Sequence, residues 1–271
     1  MKTAASISIQ YNNPFSPFPA KDWRKGFKWA KDAGLDGVEL IFSDPKLIDL
    51  GAVTYELDKL GLGVATLATG QATALEGFSL TSYSEEQRSL AVKRCCEDID
   101  FSVELGTKPN VTIGLIRGRG SAVALADERE LFKHELAKVA EYADKRGVKL
   151  NLEPINRYEA ALLNSVEDTA AFLDEMGNPQ NIGILYDTFH VNIEDCGQKH
   201  TIESFGRKIV HVHFADSNRR LPGEGHIDYR EVVSALEGIG YNNWISLEML
   251  SVPSSEYVQE HMKQRMDDIF K

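Results

Sequence analysis

The chain has 271 residues, 42% of them hydrophobic, enough for one sizeable α/β core and unlike a disordered or low-complexity chain. Its formal net charge of −11 argues against general affinity for nucleic acid, which needs clustered Lys and Arg to displace counterions, although a local basic pocket is compatible with that sum. No basic leader followed by an apolar run opens the sequence, and no stretch approaches about 18 consecutive apolar residues, so neither a signal peptide nor a membrane partner is expected.

In chain order, the first strand is read at Ile7–Ile9, followed by the turn-rich NNPFSPFP and a helix over Asp22–Ala33 that stops at Gly34. A strand over Gly37–Phe42 and a helix over Ile48–Leu60, closed by Gly61, come next, and Val64–Ala68 is the third strand. The segment TGQATALEGFSLTSY reads as a long loop. Ser84 and Gln87 then have capping-box spacing and open a helix to about Leu105. Val111–Ile116 is the fourth strand, followed by the polar loop RGRGS and a helix over Asp127–Arg146. Four more strand-like runs follow, VKLNLEP, NIGILYDTFH, KIVHVHFADS and NWISLEML. Their helices are Val166–Met176, a short one near Ile202–Phe205, Tyr229–Gly238 and Ser255–Ile269.

Eight strands alternating strictly with eight helices is the sequence form of a (β/α)8 TIM barrel, an α/β fold, and no linker divides residues 1–271. An open doubly wound sheet lacks support, since no GxGxxG follows the first strand. Cys95 and Cys96 are adjacent and Cys196 stands alone, with no disulfide framework or CxxC motif, so a reducing, cytoplasmic location is expected.

The last four runs each carry a candidate metal ligand near the C-terminal end: Glu153, Asp187, His213 and Glu248, spaced by 34, 26 and 35 residues. Each spacing is about one strand–helix unit, and parallel strands bring their C-terminal ends to one rim. Alone, any of these residues reads as a solvated loop side chain or an ion-pair partner. Together, three carboxylates and an imidazole make a hard anionic set suited to one divalent ion, Mn²⁺ first, with Mg²⁺ or Co²⁺ as alternatives. Within HVH, side chains alternate, so His211 and His213 share a face and only His213 is near enough to the strand end; His211 reads as a core or supporting histidine. His190 is either a further ligand or a donor to substrate, and the full ligand set favours the donor. His134, His200 and His261 read as surface residues. Arg117 and Arg119 follow the fourth strand; an inward-pointing guanidinium there would pair with a carboxylate or phosphate on the substrate, whereas a solvated turn is the plainer alternative.

The motifs EPINRYE (Glu153–Glu159), YDTFH (Tyr186–His190), HVHFADSNRRLPGEGHIDY (His211–Tyr229) and SLEML (Ser246–Leu250) resemble the ketose 3-epimerase family of the xylose-isomerase-like barrels, which includes the D-tagatose, D-allulose and L-ribulose 3-epimerases. ATGQATALEGFSL (Ala68–Leu80) and IGLIRGRG (Ile113–Gly120) resemble a subgroup that contains a 5-keto-L-gluconate epimerase. The resemblance covers most of the chain. It implies that Glu153, Asp187, His213 and Glu248 ligate the metal, that Glu153 and Glu248 also act as acid and base through a cis-enediolate, and that Glu159, His190 and Arg219 bind substrate. It further implies a small-molecule ketose, keto-sugar acid or sugar phosphate as substrate, and a homodimer or homotetramer. Arg220 matches no such position.

Inverting a carbon next to a ketone removes its proton from one face and returns one to the other, which explains a requirement for two carboxylates. The same pair could shuttle a proton between C1 and C2, so an aldose–ketose isomerase of the hydroxypyruvate-isomerase type is the alternative. An AP endonuclease of the same superfamily needs extra His ligands that ATLATGQA and TIGLIRG lack, and only His226 with Asp228 echoes its pattern. A noncatalytic sugar-binding protein would leave the paired carboxylates unexplained.

Overall fold

Apolar runs too short to bury both faces alone become stable here by closing on one another. The strands are β1 (Lys2–Ser8), β2 (Gly37–Ile41), β3 (Gly63–Ala68), β4 (Asn110–Ile113), β5 (Leu150–Leu152), β6 (Ile182–Asp187), β7 (Ile209–Phe214) and β8 (Trp244–Leu247). Each pairs in parallel with its successor and β8 returns to β1, a closed barrel without free sheet edges. The structure is a computed structural model and describes residues 1–270.

The helices are α1 (Trp23–Asp32), α2 (Leu50–Leu60), α3 (Gly70–Glu76), α4 (Glu85–Glu104), α5 (Leu125–Arg146), α6 (Val166–Glu175), α7 (Thr188–Glu194), α8 (Gln198–Phe205), α9 (Tyr229–Gly238) and α10 (Ser255–Phe270). The expected TIM barrel is the observed fold. Several starts and stops follow from caps. Ser84 Oγ accepts from the Gln87 amide at 3.4 Å and Ser165 Oγ from the Asp168 amide at 3.1 Å, satisfying donors that a helix start leaves free. Gly61 closes α2 in the left-handed region, with φ 62°.

Strict alternation of one helix per strand does not hold, because β3 and β6 are each followed by two. The expected loop after β3 contains α3, and the expected strand through DTFH ends at Asp187, where α7 begins. β4 also stops early, at Ile113, and Leu115–Arg117 form a 3-10 turn. β1 starts at Lys2, ahead of the expected Ile7.

Between sheet and helices lies an apolar layer that includes Phe27, Ile99, Phe132, Phe172, Leu236 and Met262, all buried, with Phe132 and Phe172 stacked at 5.3 Å between ring centroids. Truncating one such ring costs about 3–5 kcal/mol. The barrel interior is more polar than the strand sequences suggest. Thr66 and Thr112 share a hydrogen bond of 2.9 Å, and Asn151 Nδ2 donates to both hydroxyls, at 3.0 and 3.2 Å. No helix among the described residues is long and apolar enough to cross a membrane.

Candidate active site

The four residues expected as ligands converge at the C-terminal rim, each offering one donor atom, and these atoms all lie within 4.8 Å of one another. Barrel register explains the convergence. Asp187, the last residue of β6, is the direct cross-strand neighbour of His213 on β7. Glu153 and Glu248 lie one residue beyond β5 and β8, and their amides prolong the ladder by donating to Ile113 O and Phe214 O, both at 3.2 Å.

Asp187 also caps α7. Its Oδ1 accepts from the Phe189 amide at 2.8 Å, while Oδ2 is buried without a hydrogen-bond partner. His213 Nδ1 is likewise buried and unpartnered, 3.8 Å from Glu153 Oε1 and 3.6 Å from Glu248 Oε2. Unpaired acceptors among buried carboxylates are costly unless a cation joins them. The donor set and its two unfilled atoms therefore fit a hard divalent ion held by Glu153, Asp187, His213 and Glu248.

The crowding appears in the acidities of the protein groups alone. Burial, reinforced by the Glu248 charge, pushes the Glu153 carboxyl up to about 8. Burial likewise pushes Asp187 up to about 6, against the pull of Arg219 and His213. His213 is driven the other way: burial disfavours its charge, but the carboxylates of Glu39 and Glu248 outweigh that and hold its proton affinity well above the ordinary value.

Glu39 went unnoticed in the sequence. It lies in the middle of β2, fully buried inside the barrel, and its Oε2 is 3.0 Å from His213 Nε2 and 3.6 Å from His211 Nε2. Burial opposes its ionisation, yet the two imidazoles hold its carboxyl well below the usual carboxylate range. His211 is a supporting residue as expected, with its Nε2 also 3.0 Å from Ser246 Oγ.

Above the carboxylates opens a cavity of about 160 Å³ lined by Phe15, Ile41, Leu115 and Ile155 on its apolar side, and by Asn13, Gln71, Glu159, His190 and Arg219 on its polar side. Arg219 Nη1 donates to Glu159 Oε1 at 2.8 Å and Nη2 to Glu248 Oε2 at 3.1 Å, with the rings of Phe15 and Phe189 4.4 and 4.7 Å from the guanidinium. Asn156 Nδ2 donates to Glu159 at 3.0 Å and to His190 Nδ1 at 2.8 Å. With Nδ1 accepting, the His190 proton resides on Nε2, 3.6 Å from the free Asp187 oxygen. Burial, with help from Arg219, keeps His190 well below its ordinary pKa and so neutral.

Arg117 and Arg119, expected at the mouth, do not line this cavity. Arg117 does point inward, but beneath the site. The turn after Gly114 drives it into the core at zero exposure, where Nη1 donates to the Glu153 carbonyl and Nη2 to that of Leu163 at 3.2 Å. Burial pulls its pKa down to about 10. Arg119 lies at the rim and donates to the Glu159 carbonyl at 2.8 Å. Arg117 braces the Glu153 carbonyl and Arg119 that of Glu159, and neither lines the cavity.

Gly114 was also missed. A Cβ there would lie 2.5 Å from Glu153 Oε2, so only glycine leaves room for that carboxylate where it stands.

Comparison with known proteins agrees with this architecture. The family model for a xylose isomerase-like TIM barrel matches residues 27–267. An L-ribulose 3-epimerase of Mesorhizobium japonicum is 34% identical over 239 residues, covering 87% of this chain and 77% of the relative. A ketose 3-epimerase of Arthrobacter globiformis is 30% identical over 244 residues, covering 86% and 80%. A solved L-ribulose 3-epimerase superposes with a TM-score of 0.83 at 26% identity, covering 99% of this chain and 93% of that one.

Proposed function

The chain belongs to the ketose 3-epimerases of the xylose isomerase-like TIM-barrel family, and from that membership we propose that it inverts C3 of a neutral ketose with the help of one divalent cation, Mn²⁺ ahead of Mg²⁺ or Co²⁺. That it is a sugar epimerase follows from the family; the carbon, the sugar and the cation are the proposal.

One observation carries the reading. Two carboxylates, Glu153 and Glu248, reach a single point from strands three places apart around the barrel, with Asp187 and His213 between them. A cation bound there supplies Lewis acidity that weakens the C–H bond beside a ketone. The side chains do the rest. One Glu takes the proton from C3 on its face, and the other returns one on the opposite face. Arg219 fixes the Glu248 carboxylate, and the Arg117 bond to the Glu153 carbonyl fixes the backbone of the other. His190, neutral with its proton on Nε2, donates to a substrate oxygen. Glu159, already oriented by Asn156 and Arg219, accepts from a substrate hydroxyl.

The substrate's charge follows from the lining. Among the described residues, Arg219 is the only Lys or Arg at the cavity, and it already serves two carboxylates. This favours a neutral ketose over a keto-sugar acid or a sugar phosphate.

The test is incubation with Mn²⁺ in D₂O against neutral ketoses, ketose phosphates and keto-sugar acids, with NMR locating the exchanged proton. Exchange at C3 of a neutral ketose is expected. Exchange confined to C1 and C2 would replace epimerisation by aldose–ketose isomerisation, and a preference for anionic sugars would overturn the charge argument.

A further inference from the structure

We propose that Glu39 is the positioning residue that locks the His213 ring with Nδ1 facing the cation-binding carboxylates. The inference rests on the metal-site reading above and adds a residue that does not itself line the cavity but stands directly behind His213, which does.

An imidazole has two nitrogens, and the hydrogen bond made by one decides which lone pair the other presents. In His213 the choice is made by geometry. Nε2 is 3.0 Å from Glu39 Oε2, so its N–H points down into the barrel, and Nδ1 faces Glu248 and Glu153 at 3.6 and 3.8 Å as the nitrogen a cation would take. Without Glu39, no other acceptor among the described residues is placed to hold the proton on Nε2. The ring could then protonate on Nδ1 and donate to Glu153 or Glu248, which would close the ligand position.

The surroundings show that Glu39 is held for this purpose. It emerges from β2, three places from β7 around the barrel. Among the described residues no Lys or Arg pairs with it; its partners are the imidazoles of His213 and His211. His211, with its ring nearly perpendicular to that of His213 at 85° and bonded to Ser246 Oγ, braces the carboxylate from below. A buried carboxylate is expensive where a leucine would pack, and its other oxygen, Oε1, has no partner at all. That cost brings one visible return, a fixed ligand.

The experiment is Mn²⁺ titration of the full chain, followed by electron paramagnetic resonance and by chelator competition, on the native protein, Glu39→Gln, His213→Gln and the double variant. The native chain should bind one ion. Glu39→Gln should weaken binding by about 10–100-fold, the range typical for loss of a group that orients a metal-bound histidine. The double variant should match His213→Gln within about twofold, since Glu39 acts only through that ring. The visible spectrum of the Co²⁺-loaded protein should change with Glu39→Gln, a readout that general loosening of the fold would not give. If Glu39→Gln does not fold, Glu39→Asp, which withdraws the carboxylate by one methylene, should still weaken binding. Unchanged affinity in the folded variant overturns the proposal, as does an equal loss in both His213 backgrounds. Two ions per native chain and one in Glu39→Gln would make Glu39 a ligand and overturn it as well. A native chain that binds none of Mn²⁺, Mg²⁺ or Co²⁺ sinks the metal-site reading, and this inference with it.

Discussion

Replacing Gly114 by Ala would displace the Glu153 carboxylate without removing it. The added Cβ would lie 2.5 Å from Glu153 Oε2, whereas ordinary contacts begin near 3.4 Å, so the carboxylate must retreat by about 1 Å. The next neighbour, Thr112 Cγ2 at 4.0 Å, needs no movement. Because the displaced atom is the tip of a flexible side chain, the fold absorbs the change easily. Gly114 has φ −100° and ψ −117°, outside the α and β regions, so no gain through the unfolded chain offsets the change. Function has no such slack. A misplacement of about 1 Å in a reacting group costs on the order of 100-fold in rate, or about 2.7 kcal/mol of transition-state stabilisation. Gly114→Ala should therefore lose about 100-fold in kcat/KM in a chain that still unfolds cooperatively. Initial rates on the preferred ketose, C3 exchange in D₂O and a thermal melt measure the two halves independently. A folded variant with kcat/KM within threefold of native would show that Glu153 does not act from the position it occupies here.

Three further outcomes follow from the same geometry. Folding raises the pKa values of Glu153 and Asp187 to about 8 and about 6, above their ordinary 4.5 and 3.8, so the metal-free fold holds these protons more tightly than the unfolded chain does. That stabilisation is complete at low pH and is lost as pH rises through about 6 and then about 8. Melts of metal-free protein should show Tm falling across this window, less steeply in Glu153→Gln, and added Mn²⁺ should raise Tm more at high pH than at low; parallel native and Glu153→Gln curves would refute it. Glu153→Gln and Glu248→Gln should each abolish C3 exchange by at least about 100-fold without unfolding the chain, and exchange near the native rate in either would remove that residue from the acid–base pair. Arg117→Met removes the donor to the Glu153 carbonyl, at about 1–3 kcal/mol, while the Leu163 carbonyl keeps the Ile155 amide, so calorimetry should show a clear loss of stability with the preference among neutral and acidic sugars unchanged. A stable variant that loses only acidic sugars would restore Arg117 to substrate binding.

The barrel and the converging quartet were legible because both rest on position along the chain. Strand-length apolar runs at regular spacing have few ways to close, and residues at their C-terminal ends meet at one rim. What escaped depends on direction. Glu39 within GVELIF looks like the polar face of an alternating strand, but a parallel barrel strand is covered on both sides, so a charge in its middle must enter the core. Arg117 and Arg119 look equivalent in RGRGS, yet the turn at Gly114 sends one under the site and leaves the other on the rim. α3 was hidden in a segment rich in Thr and Gly, although ALE followed by Gly77, a left-handed stop at φ 79°, carried a usable signal.

The pieces that escaped share one role, which bears on why the ligands alone do not make the site. Each of three residues of the quartet has one degree of freedom removed by a neighbouring group. The α7 start takes one Asp187 oxygen as its cap and leaves the other free. Glu39 takes one His213 nitrogen and leaves the other free. Arg117 takes the Glu153 carbonyl while Gly114 makes room for its carboxylate. A quartet with the same residues but without these restraints could satisfy itself internally, with His213 donating to Glu248 and Asp187 turning to Arg219, and would present no vacancy to a cation. The restraints keep Asp187 Oδ2 without a hydrogen-bond partner and hold His213 Nδ1 toward Glu153 and Glu248, which is the arrangement that the proposed cation requires.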